Sequence, residues 1–267
     1  MIDTHLKDRV VLVTGANFGI GAATARAFAA QGACVVIHYL DAPQPDKWNG
    51  TYTALHVVKG RFAAEEIASQ IQRGGGRAVA ISGDLSLPET APALFDQVEA
   101  ALGPVDVLVN NAVHCEDPDT IFTTSAGSLD RYYAVNIRGT VLLIREFVRR
   151  HRERGASWGR IINLSTDAAQ RFAGQIVYGA TKAALEAFTR SIAIEVGASG
   201  ITVNAVAPGP VQTGWMTEEM VKTQVQNIPL RRVGRPEDIA DVIVFLASDQ
   251  ARWLTGQVIK VSGGHEL

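Results

Sequence analysis

Cysteine is scarce: Cys34 and Cys115 are the two in the 267-residue chain, and neither belongs to a C-x-x-C pair. That excludes a disulfide framework or a cysteine-held metal as the organising device and makes a reduced, cytoplasmic compartment the expectation. The six histidines show no H-E-x-x-H or other paired spacing, so no metal site is expected. Blocks of one charge are missing as well. With 25 Lys and Arg against 27 Asp and Glu, dispersed along the chain, the net charge is −2. Nothing there would release counterions from a duplex or hold an anionic bilayer, so neither nucleic acid nor a membrane is expected as a partner. A long apolar run is the third absence. The longest uncharged stretch, 196–217, carries four glycines and two prolines and cannot form a spanning helix. Residues 1–9 contain Asp3 and Asp8 and no apolar stretch, so no secretory signal is expected.

What the chain does have is apolar content, 47%, and a length that fits one large α/β domain over 1–267 better than two small ones. Short apolar runs recur at 10–13, 34–37, 78–81, 105–109, 161–164, 201–206 and 258–261. Between them lie stretches of helical period, such as Ala64, Ile67, Ala68 and Ile71, or Leu185, Phe188 and Ile192. Seven strands, apolar on both faces and separated by helices, predict a doubly wound parallel sheet of Rossmann-like architecture. One segment breaks the rhythm. At 42–60, with Pro43, Pro45, Trp48, Gly50 and Tyr52, the chain carries an insertion where a βα loop normally needs two to six residues.

The first strand runs into Thr14-Gly15-Ala16-Asn17-Phe18-Gly19-Ile20-Gly21, followed by an alanine-rich helix. Glycines permit the sharp turn and bring backbone N–H groups and the helix dipole to a pyrophosphate. The spacing, G-x-x-x-G-x-G, departs from the G-x-G-x-x-G fingerprint. Asp84, before Leu85 at the end of the third strand, is either an acceptor for an adenine amino group or the cap of the next helix. Asn110-Asn111-Ala112 closes the fourth strand, where amides tie strand ends to each other or to a cofactor.

Tyr178 and Lys182 are four residues apart, which places phenol and ammonium on one helical face. A free tyrosine, with a pKa of about 10, is a poor acid/base at neutral pH, and a nearby cation favours its phenolate. Ser165 ends the fifth strand, at the sheet edge where open α/β folds place ligands. Asn136 falls inside the helical stretch 129–149, where a buried amide needs partners.

Together these motifs resemble the short-chain dehydrogenase/reductase family over nearly the whole chain, and within it the single-domain Tyr-x-x-x-Lys type similar to 3-oxoacyl-carrier-protein reductases and related carbonyl reductases. Pro208-Gly209-Pro210 with Val211 and Thr213, Gly234-Arg235-Pro236-Glu237-Asp238 and Val261-Ser262-Gly263-Gly264 extend the match. Val113, where members usually have glycine, and the insertion depart from it. The resemblance implies hydride transfer between a nicotinamide dinucleotide and a carbonyl or secondary alcohol. Tyr178 would be the acid/base, Lys182 would hold the nicotinamide ribose and tune Tyr178, Ser165 would orient the substrate oxygen and Asn136 would anchor a relay water. Gly15, Asn17, Phe18, Gly19, Ile20, Gly21, Asp84, Leu85, Asn111, Ala112, Pro208, Gly209, Val211 and Thr213 would complete the cofactor site.

The resemblance also implies a homotetramer, and a mobile cover over a small-molecule substrate at 209–228. His114, Thr166, Asp167, Gln175, Trp215 and Met216 are the substrate-side candidates; Trp215 serves equally as an anchor on an oligomer neighbour. NADP(H) is expected over NAD(H), with His38 and Tyr39 at the ribose in place of an acid and Lys47, Lys59 and Arg61 available to the phosphate. Asp41, twenty residues past Gly21, is the competing reading. Two other classes use such a frame: a related-fold epimerase or dehydratase, and a dinucleotide-binding sensor without turnover. The former relatives carry an added substrate domain, and the intact Ser165, Tyr178 and Lys182 argue against the latter.

Overall fold

The computed structural model describes residues 3–41 and 52–266. Seven strands form one parallel sheet: β1 (Val10–Val13), β2 (Cys34–Tyr39), β3 (Arg77–Ser82), β4 (Val107–Asn110), β5 (Gly159–Leu164), β6 (Ile201–Pro208) and β7 (Val258–Val261). Their order is β3-β2-β1-β4-β5-β6-β7. The direction of winding reverses between β1 and β4, where Val11 pairs Val107 and Val13 pairs Val109. A crevice at the carboxyl ends of these two strands is the consequence.

Apolar residues on both faces are what commit these segments to the centre of a sandwich. In β1, Val11 and Val13 enter one buried cluster and Val10 and Leu12 the other. Each fully buried aliphatic side chain contributes about 1.5–3 kcal/mol. The first cluster is closed by α1 (Gly19–Ala30), α2 (Tyr52–Arg73) and α8 (Pro236–Ala247), through Phe28, Ile67 and Ile243 among others. The second is closed by α3 (Thr90–Leu102), α5 (Thr140–Glu153) and α6 (Ile176–Val196), through Phe95, Phe147 and Ala193. Two short helices, α4 (Ala126–Tyr133) and α7 (Glu218–Asn227), stand over the carboxyl edge.

Three local expectations change. The insertion expected as a loop over 42–60 gives way to helix from Tyr52, and α2 is interrupted at Gly60, whose φ of −9° and ψ of −120° are not helical. Residues 42–51, Lys47 among them, and the Lys59 side chain lie outside what the structure describes. The stretch 129–149 is not one helix. Ala134–Gly139 forms a π-turn between α4 and α5; within it Gly139 presses against the Leu85 carbonyl, where a Cβ would collide, and the Asn136 side chain bonds the His114 backbone. Finally, β2 runs two residues past its apolar run, so His38 and Tyr39 are strand residues.

Candidate active site

The glycine turn is held from behind by side chains of the fourth strand and its end. Thr14 Oγ1 donates to the Val109 carbonyl and accepts from the Asn111 and Ala112 N–H groups. Asn111 Nδ2 donates to the carbonyls of Thr14 and Gly15, both at 2.9 Å. Gly15 and Gly19 have φ of 60° and 53°, which side-chain-bearing residues rarely adopt. A Cβ on Gly21 would lie 2.6 Å from Asn111 Nδ2, so only glycine lets α1 start this close to the turn.

Helix α1 begins with no side-chain cap and no acidic residue in its first turn, which leaves its N-terminal dipole uncompensated. Against Gly19 lies Thr213, whose Oγ1 is buried with no hydrogen-bond partner among the described residues. A buried hydroxyl in that state calls for a ligand atom. These features fit a dinucleotide pyrophosphate. Between the turn and the ends of β3 and β4 a cavity is lined by Asn17, His38, Asp84, Ala112, His114 and Val135 among others. Asp84 accepts from the Ser86 N–H at 2.8 Å, capping the turn after β3 rather than helix α3, which starts at Thr90. Ile20 packs on the core, and Phe18 lies against Gly214.

His38 and Tyr39, expected at the ribose, are both buried at the end of β2, and His38 lines the cavity beside the glycine turn. His38, 2% exposed, donates from Nε2 to the Gly83 carbonyl at 3.0 Å and accepts the Gly15 N–H on Nδ1 at 3.3 Å. Burial holds it neutral, with its pKa pushed down to about 4. It is no cation for a phosphate. Tyr39, 5% exposed, belongs to the core because the strand continues through it. The first exposed residue beyond β2 is Asp41, and Arg61 on α2 lies in the electrostatic field of both Asp41 and Tyr39.

The chemical residues converge from β5, α6 and the π-turn. Ser165 follows β5 and is buried; Tyr178 is partly exposed in the first turn of α6; Lys182 is 4% exposed one turn on. Lys182 Nζ donates to the Leu164 carbonyl at 2.6 Å and stands 5.6 Å from the centre of the Tyr178 ring. Its burial lowers the ammonium pKa to about 8. Phe172 meets the Tyr178 ring edge to face at 5.6 Å. Asn136 accepts from the His114 N–H at 2.7 Å and donates to the His114 carbonyl and to Thr181 Oγ1, which in turn donates to the Tyr178 carbonyl. The amide thus links the end of β4 to the helix carrying Tyr178.

Other candidates are partly committed elsewhere. Asp167 is held by His265 Nδ1 at 2.8 Å, and burial pushes its carboxyl pKa up against that contact. His114 Nε2 meets Glu116, which Arg131 and Ser128 also hold. Gln175 precedes α6, Thr166 is buried beside Ser165, and Pro208, Gly209 and Val211 carry the chain off β6 beneath the Ser262 backbone. Met216 is buried, whereas Trp215 is 45% exposed.

Sequence reasoning missed two carboxylates. Asp119, 4% exposed, accepts the N–H groups of Val177 and Tyr178 at 3.1 and 2.9 Å, and its carbonyl accepts that of Ile176. Helix α6 has no side-chain cap from its own sequence, and that gap was the available signal. Glu186, 7% exposed, accepts the Ser165 hydroxyl at 2.7 Å. Its signal was a charge at i+8 from Tyr178 on the same buried face.

Comparison with known proteins agrees with this geometry. The family model described as Enoyl-(Acyl carrier protein) reductase matches residues 48–266. The chain is 38% identical to the uncharacterized oxidoreductase YjdA of Bacillus subtilis, covering 98% of each chain. It is also 38% identical to the NADPH-dependent aldehyde reductase 2 of Arabidopsis thaliana, over 97% of this chain and 94% of that one. A blue fluorescent protein from a metagenomic library, solved in complex with NADPH, superposes with a TM-score of 0.83 at 31% identity, covering 98% of this chain and 99% of the other. The matched family model and relatives that align over nearly the whole chain make this chain an NAD(P)-dependent oxidoreductase of the short-chain dehydrogenase/reductase family, with the glycine turn and the Tyr178–Lys182 pair at the carboxyl edge of its sheet.

Proposed function

We propose that the protein interconverts a small carbonyl compound and the corresponding secondary alcohol, with Tyr178 as the general acid/base. The single observation that carries this is the partly exposed Tyr178 ring with the buried Lys182 ammonium 5.6 Å from its centre. A bound nicotinamide supplies or accepts the hydride. Tyr178 donates a proton to the substrate oxygen in reduction and removes it in oxidation. Lys182, now bonded to the Leu164 carbonyl, favours the phenolate and would hold the hydroxyls of the nicotinamide ribose. Ser165 orients the substrate oxygen. Asn136, whose amide holds the His114 backbone and Thr181, keeps a relay path open at the π-turn.

NADP(H) is the proposed cofactor. Arg61, ion-paired with Glu65 at 2.7 Å, also feels the charge of Asp41, which places a cation in the field of the acid that would repel a ribose phosphate, and two similar proteins carry NADPH in their descriptions. Trp215 on the segment 209–228 is proposed as the wall of the substrate pocket, and a homotetramer as the working assembly.

The test is a panel of ketones and alcohols followed by reduced-cofactor absorbance with both dinucleotides. Tyr178→Phe is expected to cut kcat by about 10²–10⁴-fold while cofactor titration by fluorescence stays intact. A rate within a few-fold of the parent would remove Tyr178 from the mechanism. Arg61→Ala is expected to lower the NADP:NAD ratio of kcat/KM; a parent that already prefers NAD, and loses the preference in Asp41→Ala, reverses the cofactor assignment.

A further inference from the structure

The segment 209–228 is fastened at both of its ends to one short turn. At its start, the Gly209 N–H donates to the Val261 carbonyl at 3.2 Å, and a Cβ on Gly209 would lie 2.8 Å from Ser262 Cα. Just past its end, the Leu230 N–H donates to the Gly263 carbonyl at 3.1 Å, and a Cβ on Gly264 would stand 2.7 Å from the Pro229 ring. Gly263 and Gly264 have φ of 65° and 92°, the left-handed values that let residues 262–266 fold back after β7. The Ser262 hydroxyl closes this turn by donating to the His265 carbonyl at 2.8 Å.

The turn is itself tied to the end of β5. His265 Nδ1 is 2.8 Å from Asp167 Oδ2, with the two side chains 18% and 4% exposed, across 98 positions of chain. Asp167 stands two residues beyond Ser165, and its own N–H donates to the Pro208 carbonyl at 3.0 Å. A second tie, Arg171 to Glu266 at 2.8 Å, lies open to solvent and so holds little. The buried bond is the stronger fastening, since polar groups out of water are costly to leave unpaired. Resting on the reaction proposed above, with 209–228 as the substrate wall, we propose that His265 and Asp167 are positioning residues. Their bond locks the turn that carries both ends of the covering segment to the strand end that carries Ser165. The pair thereby sets how closely that segment closes on substrate, and neither side chain is assigned a contact with the reacting atoms.

The experiment reads the covering segment directly, by limited trypsin digestion of the full chain below its melting range. Lys222, exposed on α7, is the single Lys or Arg in 209–228, and Arg73, exposed at the end of α2 before β3, reports from the opposite edge of the sheet. When local opening is fast, the cleavage rate follows the population of the open form. In His265→Phe, which keeps a ring but loses the bond, cutting after Lys222 is expected to speed up by about tenfold, the scale of one lost hydrogen bond, with cutting after Arg73 unchanged. Asp167→Asn still offers the ring a partner and is expected to stay within a few-fold of the parent. Asp167→Ala removes the bond from the other side and is read in place of His265→Phe if that variant does not fold. On the panel ketone that the parent turns over fastest, KM is expected to rise while kcat stays within a few-fold, because the cover supplies binding and not the proton. A Lys222 rate equal to the parent's, a rise shared by Arg73, or a KM that ignores a faster Lys222 cut overturns the inference and leaves the proposed function standing. A parent with no turnover of any alcohol or ketone overturns the proposed function, while the two cleavage rates still decide the fastening.

Discussion

His38 shows how one residue can be placed at the right site for a reason other than the expected one. It bridges the Gly15 N–H and the Gly83 carbonyl, joining the glycine turn to the end of β3 through a neutral ring. Its folded pKa of about 4 lies below the ordinary value of 6.5, so as pH falls the unfolded chain takes up this proton first. Between these values the unfolded state binds more protons than the folded one, and stability falls as pH drops through the window. The shift corresponds to about 3 kcal/mol, present above pH 6.5 and lost on approaching pH 4. Urea unfolding at several pH values across that window should show this decline, and His38→Gln, which keeps a donor and an acceptor without titrating, should flatten it. An unchanged slope in the variant would assign the acid sensitivity to other groups. The Ser165 partner belongs to the same scale: only coordinates bring together residues 21 positions apart in sequence.

At the scale of elements, helix α6 is a scaffold whose first turn is fastened by another loop. Asp119 supplies the acceptor that its own sequence lacks, and the residue so fastened is Tyr178. Asp119→Ala should cost about 1–2 kcal/mol as a lost cap. Since small displacements of a catalytic group are expensive, it should also lower kcat by tenfold or more, with cofactor affinity retained. Asp119→Asn, keeping an acceptor oxygen, should recover part of both; thermal melts beside steady-state rates make the comparison. A Asp119→Ala protein with parental kcat would reduce Asp119 to a structural cap.

The same helix explains what could be read beforehand. Tyr178 and Lys182 were legible because their partnership is written in local spacing, and the strands because burial on both faces needs continuous apolar runs. The Asp119 cap was not, since it crosses 59 residues of chain. Nor was the π-turn around Asn136, because helical periodicity continues through it while Gly139 answers to a carbonyl from the β3 loop. The end of β2 at Tyr39 was not legible, because an apolar run marks where a strand must be buried, not where its hydrogen bonding ends.

At the scale of the molecule, apolar groups are left in the open on two separate elements. Ile194 and Phe188 on α6 are 85% and 38% exposed, and Trp253 beyond α8, with Phe245 on it, 95% and 45%. Two such patches, each pairing with its own copy, would generate two kinds of two-fold contact and so the proposed tetramer. Light scattering at micromolar concentration is expected to report four copies of the 28.6 kDa chain, and Trp253→Glu to reduce the assembly to a dimer. A monomeric parent would remove the proposed assembly and leave the exposed groups without that role.

The strand order carries a kinetic corollary. The pairing of β1 with β4 that opens the crevice also joins Thr14 to Val109, 95 residues apart. Closing a chain segment of that length costs roughly 4 kcal/mol of entropy before any contact repays it. During synthesis β1 must wait, exposed along one side, until β4 has left the ribosome. The central seam is thus the strand pairing of longest sequence separation in the sheet, and the active edge is complete only once that middle has closed.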